Sequence, residues 1–293
     1  MSASIAKGER RTAKRMAAMR GETTALTISE WMRFLGRTLA LVLVLLAFVP
    51  LHYLYRVLRY GSPFPKLFLR SAGWISGARV ERIGTPLRRD VFFIANHVSW
   101  IDILVLAGAS GTAFVAKQEL SEVPVIGWLC GLNRTVFVKR ENRMGVAEQI
   151  NALREALADN WSVTVFPEGT TTDNRSLLPF KTSMLSVLEP PPPGVLVQPV
   201  MIDYGAVGEE IGWIGEESGL NNARRVLGRR GSFPVRIHFL EPFSPEDHRG
   251  RKAIGSKARI EIEAALIDAL GQPLRDFAHT VAPIRYVAPV ADT

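Results

Sequence analysis

A histidine and an aspartate stand where a short apolar run gives way to polar residues. The run Val91–Ala95 is apolar and aromatic, which is typical of a buried strand. His97 follows it almost at once, and Asp102 lies five residues beyond His97. A neutral imidazole can take a proton from a hydroxyl group when a carboxylate fixes its tautomer. The pair therefore predicts a Ser-His-Asp arrangement without the serine, in which the substrate brings the hydroxyl. A turn in which backbone groups satisfy His97 is the alternative.

A second polar cluster follows the predicted strand Trp161–Phe166. Pro167 cannot donate to a sheet ladder, so we expect the strand to end there. Gly169 permits a close approach of backbone to a ligand, and the Glu168 carboxylate can accept hydrogen bonds from substrate hydroxyls. The residues of this cluster that we predict to bind substrate are Glu168, Gly169, Thr170, Arg175 and Lys181.

Basic residues flank a third predicted strand, Thr135–Val138. Arg134 precedes it and Arg140 follows it. Because the carboxyl ends of parallel strands meet at one edge of a sheet, Arg140 is expected near His97, where a guanidinium can grip an anion through two hydrogen bonds. Arg134 is also predicted to bind substrate. Solvated surface charges are the alternative for both.

The order of the elements indicates the fold class. Strands alternate with helical segments, which predicts an α/β fold with a largely parallel central sheet flanked by helices. The clearest amphipathic helix is predicted over Met144–Asn160, and Glu261–Leu270 is predicted as a late helix. The predicted strands are Val91–Ala95, Thr112–Ala116, Thr135–Val138, Trp161–Phe166, Val195–Ile202 and Val235–Leu240.

The N-terminal region predicts a helical membrane anchor. Thr38–Tyr55 contains no Asp, Glu, Lys or Arg, and as a helix it would be about 27 Å long against a hydrocarbon core of about 30 Å. Basic residues flank both of its ends, so we expect a helix that enters the bilayer and returns, or one that lies deep in one leaflet, with Phe64–Ile75 as its partner. A buried helix of a soluble protein is the alternative. The predicted domains are a basic, disordered arm (1–30), an apolar membrane-associating segment (31–78) and an α/β domain (79–293).

Composition narrows the possible partners. The 293 residues carry a net charge of +8, which suits nucleic acid, anionic lipid or a phosphorylated substrate. The basic residues are not interleaved with aromatic residues as in nucleic-acid-binding modules, so no nucleic-acid partner is predicted. The single cysteine, Cys130, excludes an intramolecular disulfide and a Cys-rich zinc site. No cofactor or metal is predicted. The segment 205–233 predicts a solvated loop or surface helix, with a mobile basic flap as the alternative.

Four ordered sequence blocks resemble those of the glycerolipid acyltransferase family, which includes the bacterial 1-acyl-glycerol-3-phosphate acyltransferases. The resemblance covers about residues 85–205. It implies a membrane-associated O-acyltransferase in which His97 is the base and Asp102 orients it. The blocks are Asn96-His97-x4-Asp102, Val136-Phe137-Val138-Lys139-Arg140, Phe166-Pro167-Glu168-Gly169-Thr170 and Gln198-Pro199-Val200.

The resemblance implies the substrates and the location. The donor would be an acyl thioester of acyl carrier protein or coenzyme A, and the acceptor a lysolipid, first of all 1-acyl-glycerol-3-phosphate, which gives phosphatidic acid. The enzyme would sit on the inner membrane, facing the cytoplasm, on an anionic lipid surface.

Two departures bear on the acceptor. Thr171 stands where the family commonly has an arginine that contacts the acceptor phosphate, and Arg134 stands where a glycine is common. The run from Glu168 to Lys181 is also similar to the lyso-ornithine lipid acyltransferases, whose acceptor carries an amino-acid headgroup without phosphate. Lyso-ornithine lipid is therefore the alternative acceptor. A non-catalytic peripheral membrane lipid-binding protein is the alternative from another class.

Overall fold

The computed structural model describes residues 12–138, 151, 155 and 162–277. Its strands are β1 (Ala78–Ile83), β2 (Val91–Ala95), β3 (Ala113–Lys117), β4 (Val136–Val138), β5 (Ser162–Val165), β6 (Leu196–Asp203) and β7 (Phe233–Phe239). Its helices are α1 (12–19), α2 (Ile28–Val57), α3 (Phe64–Ser76), α4 (Ile101–Ser110), α5 (Pro124–Leu132), α6 (Gly208–Ile211), α7 (Gly219–Gly228) and α8 (Gly250–Leu270).

The seven strands form one sheet in the order β1-β7-β6-β2-β5-β3-β4. Strands β6, β2, β5, β3 and β4 are parallel, as predicted, whereas β7 runs antiparallel to β6 and β1 pairs parallel with β7. The five parallel strands define two edges. We call the edge where they end the carboxyl edge, and the edge where they begin the amino edge.

Two hydrophobic layers cover the sheet. All five residues of β2 are buried, because alternate side chains of a central strand point to opposite faces. Phe93 packs with α4 and its neighbours, while Phe92 packs with the α8 side. The α8 residues that face the sheet recur every fourth position, which forms one helical stripe, and they are Ile254, Ala258, Ile262 and Leu266.

The predicted strand positions are confirmed to within one to two residues at each end. Strand β1 was not predicted. Its sequence, Ala-Arg-Val-Glu-Arg-Ile, is exposed at every position after Ala78, because it is an edge strand whose charged side chains reach solvent. Most of the predicted helix Met144–Asn160 lies outside the described residues.

Helices α2 and α3 form the predicted apolar pair. A capping box of Thr27 and Glu30 starts α2, which continues through Pro50 for 30 residues, or about 45 Å. The chain then turns back, and the Phe64 ring of α3 lies 5.6 Å from that of Phe48. By length and composition α2 could cross a membrane, although a soluble core helix or a signal sequence passes the same test. Its large apolar side chains are mostly exposed, which indicates a membrane location.

The disordered arm predicted for residues 1–30 is wrong over 12–30. Residues 12–19 form α1, whose Ala18 is fully buried. Arg15 pairs with Glu217 at 3.2 Å and Lys14 pairs with Glu30 at 2.8 Å, so the basic residues of this segment find carboxylates on the folded body. The backbone N–H of Thr24 donates to Asn221. Residues 1–11 lie outside the described residues.

Candidate active site

His97 and Asp102 meet in the turn between β2 and α4. The Nδ1 atom of His97 lies 2.8 Å from Oδ2 of Asp102. The same oxygen accepts hydrogen bonds from the backbone N–H groups of Val98 and Ser99, at 2.7 and 2.9 Å. The strand-to-helix turn thus folds the carboxylate back onto the ring, as the five-residue spacing predicted. Asn96 fixes the end of β2, since its side chain both donates to and accepts from the backbone of Ile202 on β6.

Packing and hydrogen bonding orient the His97 ring. The Asp102 side chain is fully buried, whereas that of His97 is 18% exposed. The His97 ring stacks on Phe166, with ring centroids 4.1 Å apart. Because an ionised carboxylate only accepts hydrogen bonds, we assign the ring proton to Nδ1, which leaves the lone pair of Nε2 able to take a proton.

Tyr204 is a partner of the pair that sequence reasoning missed. It follows directly after β6, and its hydroxyl donates to Oδ1 of Asp102. Burial, together with the charge of Asp102, raises the pKa of Tyr204 well above its usual value, so the hydroxyl stays a donor. The available signal was its place at the end of a strand that is parallel to β2.

Glu168 has a different environment from the one predicted. Its side chain is buried, and its two oxygens accept hydrogen bonds from the backbone N–H groups of His97 (2.7 Å) and Leu178 (2.9 Å). The carboxylate therefore ties the His97 turn to the segment after β5, instead of pointing at a substrate hydroxyl. Burial, opposed by these two hydrogen bonds, raises the pKa of Glu168 to about 8.

We expect Glu168→Gln to lower the free energy of unfolding by about 1–3 kcal/mol, because an amide accepts through one oxygen only and one buried N–H loses its partner.

The raised pKa of Glu168 means that the folded state holds a proton that the unfolded state releases. Stability from this group is therefore fully present below the unfolded-state pKa and is lost as pH rises through about 8. Urea unfolding of both proteins from pH 5 to 8 tests this, and an equal pH slope in the variant would contradict it.

Gly169, Thr170 and Lys181 lie together beyond β5. Gly169 has φ +74°, and a Cβ on it would meet Nζ of Lys181 at 2.9 Å, so the glycine makes room for the lysine chain. The backbone N–H of Lys181 donates to the carbonyl of Pro167. Thr170 is half-buried in the same turn. The structure thus brings these three predicted residues to the carboxyl edge, next to Glu168.

Arg175 lies at this edge in an ion-pair cluster. Its Nε atom lies 3.0 Å from Glu209, and Arg275 contacts both Glu209 and Asp173. Thr171, at the position where an arginine was expected, is buried and donates its hydroxyl to the carbonyl of Trp213. Carboxylates therefore already compensate both Arg175 and Arg275 at this edge.

Arg134 does not lie with His97. It precedes β4 whereas His97 follows β2, and because both strands run in the same direction, the two residues lie at opposite edges of the sheet. The structure therefore does not bring Arg134, which was predicted to bind substrate, to the His97 site. Arg140 lies outside the described residues.

The segment 205–233 packs against the turn that carries His97. The backbone N–H of Trp213 donates to the carbonyl of Val98, and its indole donates to the carbonyl of Glu217. Arg15 of α1 and Arg225 of α7 both pair with the buried Glu217. The segment is therefore an ordered part of the site rather than a flap. In the part of the chain that the structure describes, no group of three or more His, Cys, Asp or Glu side chains could hold a metal ion.

Known proteins match this chain in sequence and fold. The acyltransferase family model matches residues 78–203, which include His97, Asp102 and Glu168. A lyso-ornithine lipid O-acyltransferase of Rhizobium meliloti is 34% identical over 258 residues, which cover 82% of this chain and 88% of that protein. A 1-acyl-sn-glycerol-3-phosphate acyltransferase of Neisseria gonorrhoeae is 35% identical over 108 residues, which cover 37% of this chain and 42% of that protein.

The fold has a solved counterpart. The crystal structure of the 1-acyl-sn-glycerophosphate (LPA) acyltransferase PlsC from Thermotoga maritima superposes with a TM-score of 0.54 at 23% identity, and covers 79% of this chain and 97% of that chain. The match to the Rhizobium meliloti relative over most of both chains, together with the family model, shows that the protein is an acyltransferase. More specifically, the chain belongs to the lysophospholipid acyltransferase family. Family membership implies an acyl donor and a lysolipid acceptor, and it does not support the alternative of a non-catalytic lipid-binding protein.

Proposed function

We propose that the protein is a lyso-ornithine lipid O-acyltransferase. The observation that carries the catalytic part is the 2.8 Å contact between His97 Nδ1 and the buried Asp102, which directs the lone pair of Nε2 to an incoming hydroxyl. The support for the acceptor is the extent of the match, since the Rhizobium meliloti relative aligns over most of both chains. The sequence alone favoured 1-acyl-glycerol-3-phosphate as the acceptor. The Neisseria gonorrhoeae relative named for that acceptor aligns over a much shorter stretch.

The proposed mechanism needs no covalent acyl-enzyme. Nε2 of His97 takes the proton of the acceptor hydroxyl as its oxygen attacks the thioester carbonyl. Asp102 holds the ring in place and stabilises the imidazolium that forms. The tetrahedral intermediate then collapses: the new C–O bond stays, the C–S bond breaks, and the leaving thiolate takes the proton from His97. The products are the acylated lipid and the free thiol carrier.

The charges at the carboxyl edge support an amino-acid headgroup. Glu209 compensates Arg175, which weakens its attraction for a doubly charged phosphate. An ornithine headgroup carries an amino group and a carboxylate, so its amino group can pair with Glu209 and its carboxylate with Arg175. The ion pair between Arg275 and Asp173 adds a second guanidinium and a second carboxylate at this edge.

The donor and the location complete the proposal. The donor is an acyl thioester of acyl carrier protein or coenzyme A, and the enzyme sits on the inner membrane with its α/β domain toward the cytoplasm and its basic residues against anionic lipid. Support comes from the exposed apolar α2 and from Arg56 and Arg59 at its end, since basic residues accumulate on the cytoplasmic side.

We expect the purified protein to acylate lyso-ornithine lipid in preference to 1-acyl-glycerol-3-phosphate when both compete in one assay. Glu209→Gln should shift this preference toward the phosphate acceptor by about tenfold, because it removes the carboxylate that compensates Arg175. The exposed Glu216, changed to Gln, is the matched control and should leave the ratio unchanged. Preference for the phosphate acceptor in the unmodified protein would overturn the proposed acceptor.

A further inference from the structure

A basic cavity opens at the amino edge of the sheet, away from His97. Its volume is about 760 Å³. The strands begin around it, since Ala113 of β3 and Ser162 of β5 line it, as do the C-terminal end of α2 and the start of α3. The His97 site lies beyond the opposite ends of these strands, so the cavity is a separate feature.

The cavity concentrates positive charge. None of its lining residues, all of which belong to the described part of the chain, is Asp or Glu. Burial, and after it the charges of Arg82, Arg88 and Arg70, lowers the pKa of Lys66, so this lysine lies among like charges. An anionic ligand would relieve this repulsion. The basic lining residues are His52, Arg56, Lys66, Arg88, Arg89 and Arg134.

Exposed apolar and aromatic side chains lie on and next to the two helices, α2 and α5, whose C-terminal ends line the cavity. Val57 and Tyr60, at the end of α2, are 78% and 66% exposed, and Val125 of α5 is 60% exposed. The indole of Trp128 on α5 donates to the hydroxyl of Tyr53 on α2, which joins the two helices. Trp and Tyr side chains favour the level of lipid headgroups, where one end is apolar and the other is wet.

We propose that this cavity binds the phosphate of an anionic membrane phospholipid, with the acyl chains of the lipid along the apolar residues of α2 and α5. A concave, basic site with an apolar border fits a headgroup and its chains, whereas the convex surface of an acidic protein would leave the cavity unfilled. The site is distinct from the acceptor site, and its lipid is bound without being acylated. The proposal thus goes beyond the proposed function.

The test is a native mass spectrometry titration of the detergent-purified full chain with phosphatidylglycerol, phosphatidylcholine, inorganic phosphate or acyl carrier protein. Arg88→Gln/Arg89→Gln removes two exposed charges of the cavity. We expect it to weaken phosphatidylglycerol binding by about 30-fold, as two headgroup contacts would. Arg249→Gln/Lys252→Gln, at the start of α8 across the sheet, is the matched control and should change binding less than twofold. Phosphatidylcholine should bind more weakly to the unmodified protein than phosphatidylglycerol.

Four results would overturn the proposal. These are equal losses in the cavity variant and the control, equal binding of the two lipids, inorganic phosphate that binds as tightly as phosphatidylglycerol, and unchanged lipid binding with loss of acyl carrier protein binding. The third would identify a soluble phosphate as the ligand, and the fourth an acidic protein. Acyl transfer in neutral detergent should be the same in the cavity variant and in the unmodified protein, so the outcome is independent of the catalytic proposal.

Discussion

Replacing His97 with alanine is expected to lower kcat for acyl transfer by about three orders of magnitude. The variant loses the base for the acceptor hydroxyl, and a positioned general base contributes about 10²–10⁴-fold. The KM for the lysolipid should change little, because the imidazole acts on the reacting hydroxyl rather than on the headgroup. A radiolabelled acyl-thioester assay, with the acylated lipid resolved by chromatography, measures both quantities.

His248→Ala is the matched control for this variant. That histidine is also partly buried and contacts an aromatic ring, Phe243, at 5.0 Å, but it does not lie in the His97 turn. The control should keep at least half of the activity, which separates the loss of a base from the general cost of removing a histidine. Near-normal turnover of the His97 variant would show that another group removes the proton.

The change Asp102→Asn is expected to have the second largest effect, a fall in kcat of at least a hundredfold. The carboxylate accepts four hydrogen bonds, from His97, Val98, Ser99 and Tyr204. An amide has only one acceptor oxygen, and an amide nitrogen at the Oδ2 position would face the His97 ring and favour its wrong tautomer. It would also leave the backbone N–H groups of Val98 and Ser99 without an acceptor, at a cost of about 1–3 kcal/mol of stability.

Tyr204→Phe provides the graded comparison. It removes one donor to Asp102 but leaves the contact between His97 and the carboxylate, so the loss in kcat should be about tenfold or less. Circular dichroism and urea unfolding of both variants separate activity from folding. A larger loss in the Tyr204 variant than in the Asp102 variant would contradict the assigned order of roles.

The contact between His97 and Asp102 was predictable from the sequence. A buried apolar strand followed by His97 and Asp102 places both groups in a single turn, and the contact needs no distant residue. The parallel part of the sheet followed from the alternation of strands and helices. It placed Glu168 and Lys181 at the correct edge, because strand direction decides at which edge a residue lies.

Long-range contacts were not predictable in the same way. Glu168 accepts a hydrogen bond from the backbone N–H of His97, which lies 71 positions away in the sequence. The residues around Glu168 do not indicate that its carboxyl group would accept from backbone N–H groups instead of from substrate. Arg134 lies at the opposite edge from His97, because it precedes β4 instead of following it. The polar arm looked disordered because its partner, Glu217, lies far along the chain.

The contact between Arg15 and Glu217 joins residues that are 202 positions apart. At about 5–20 residues per second, the ribosome needs roughly 10–40 s to make the second residue after the first. During that interval α2 has already emerged, so α1 can pair with Glu30 of α2 but not yet with the buried Glu217. In a nascent chain halted before residue 217, α1 would therefore stay accessible to proteases, because the carboxylate that pairs with Arg15 has not yet been made.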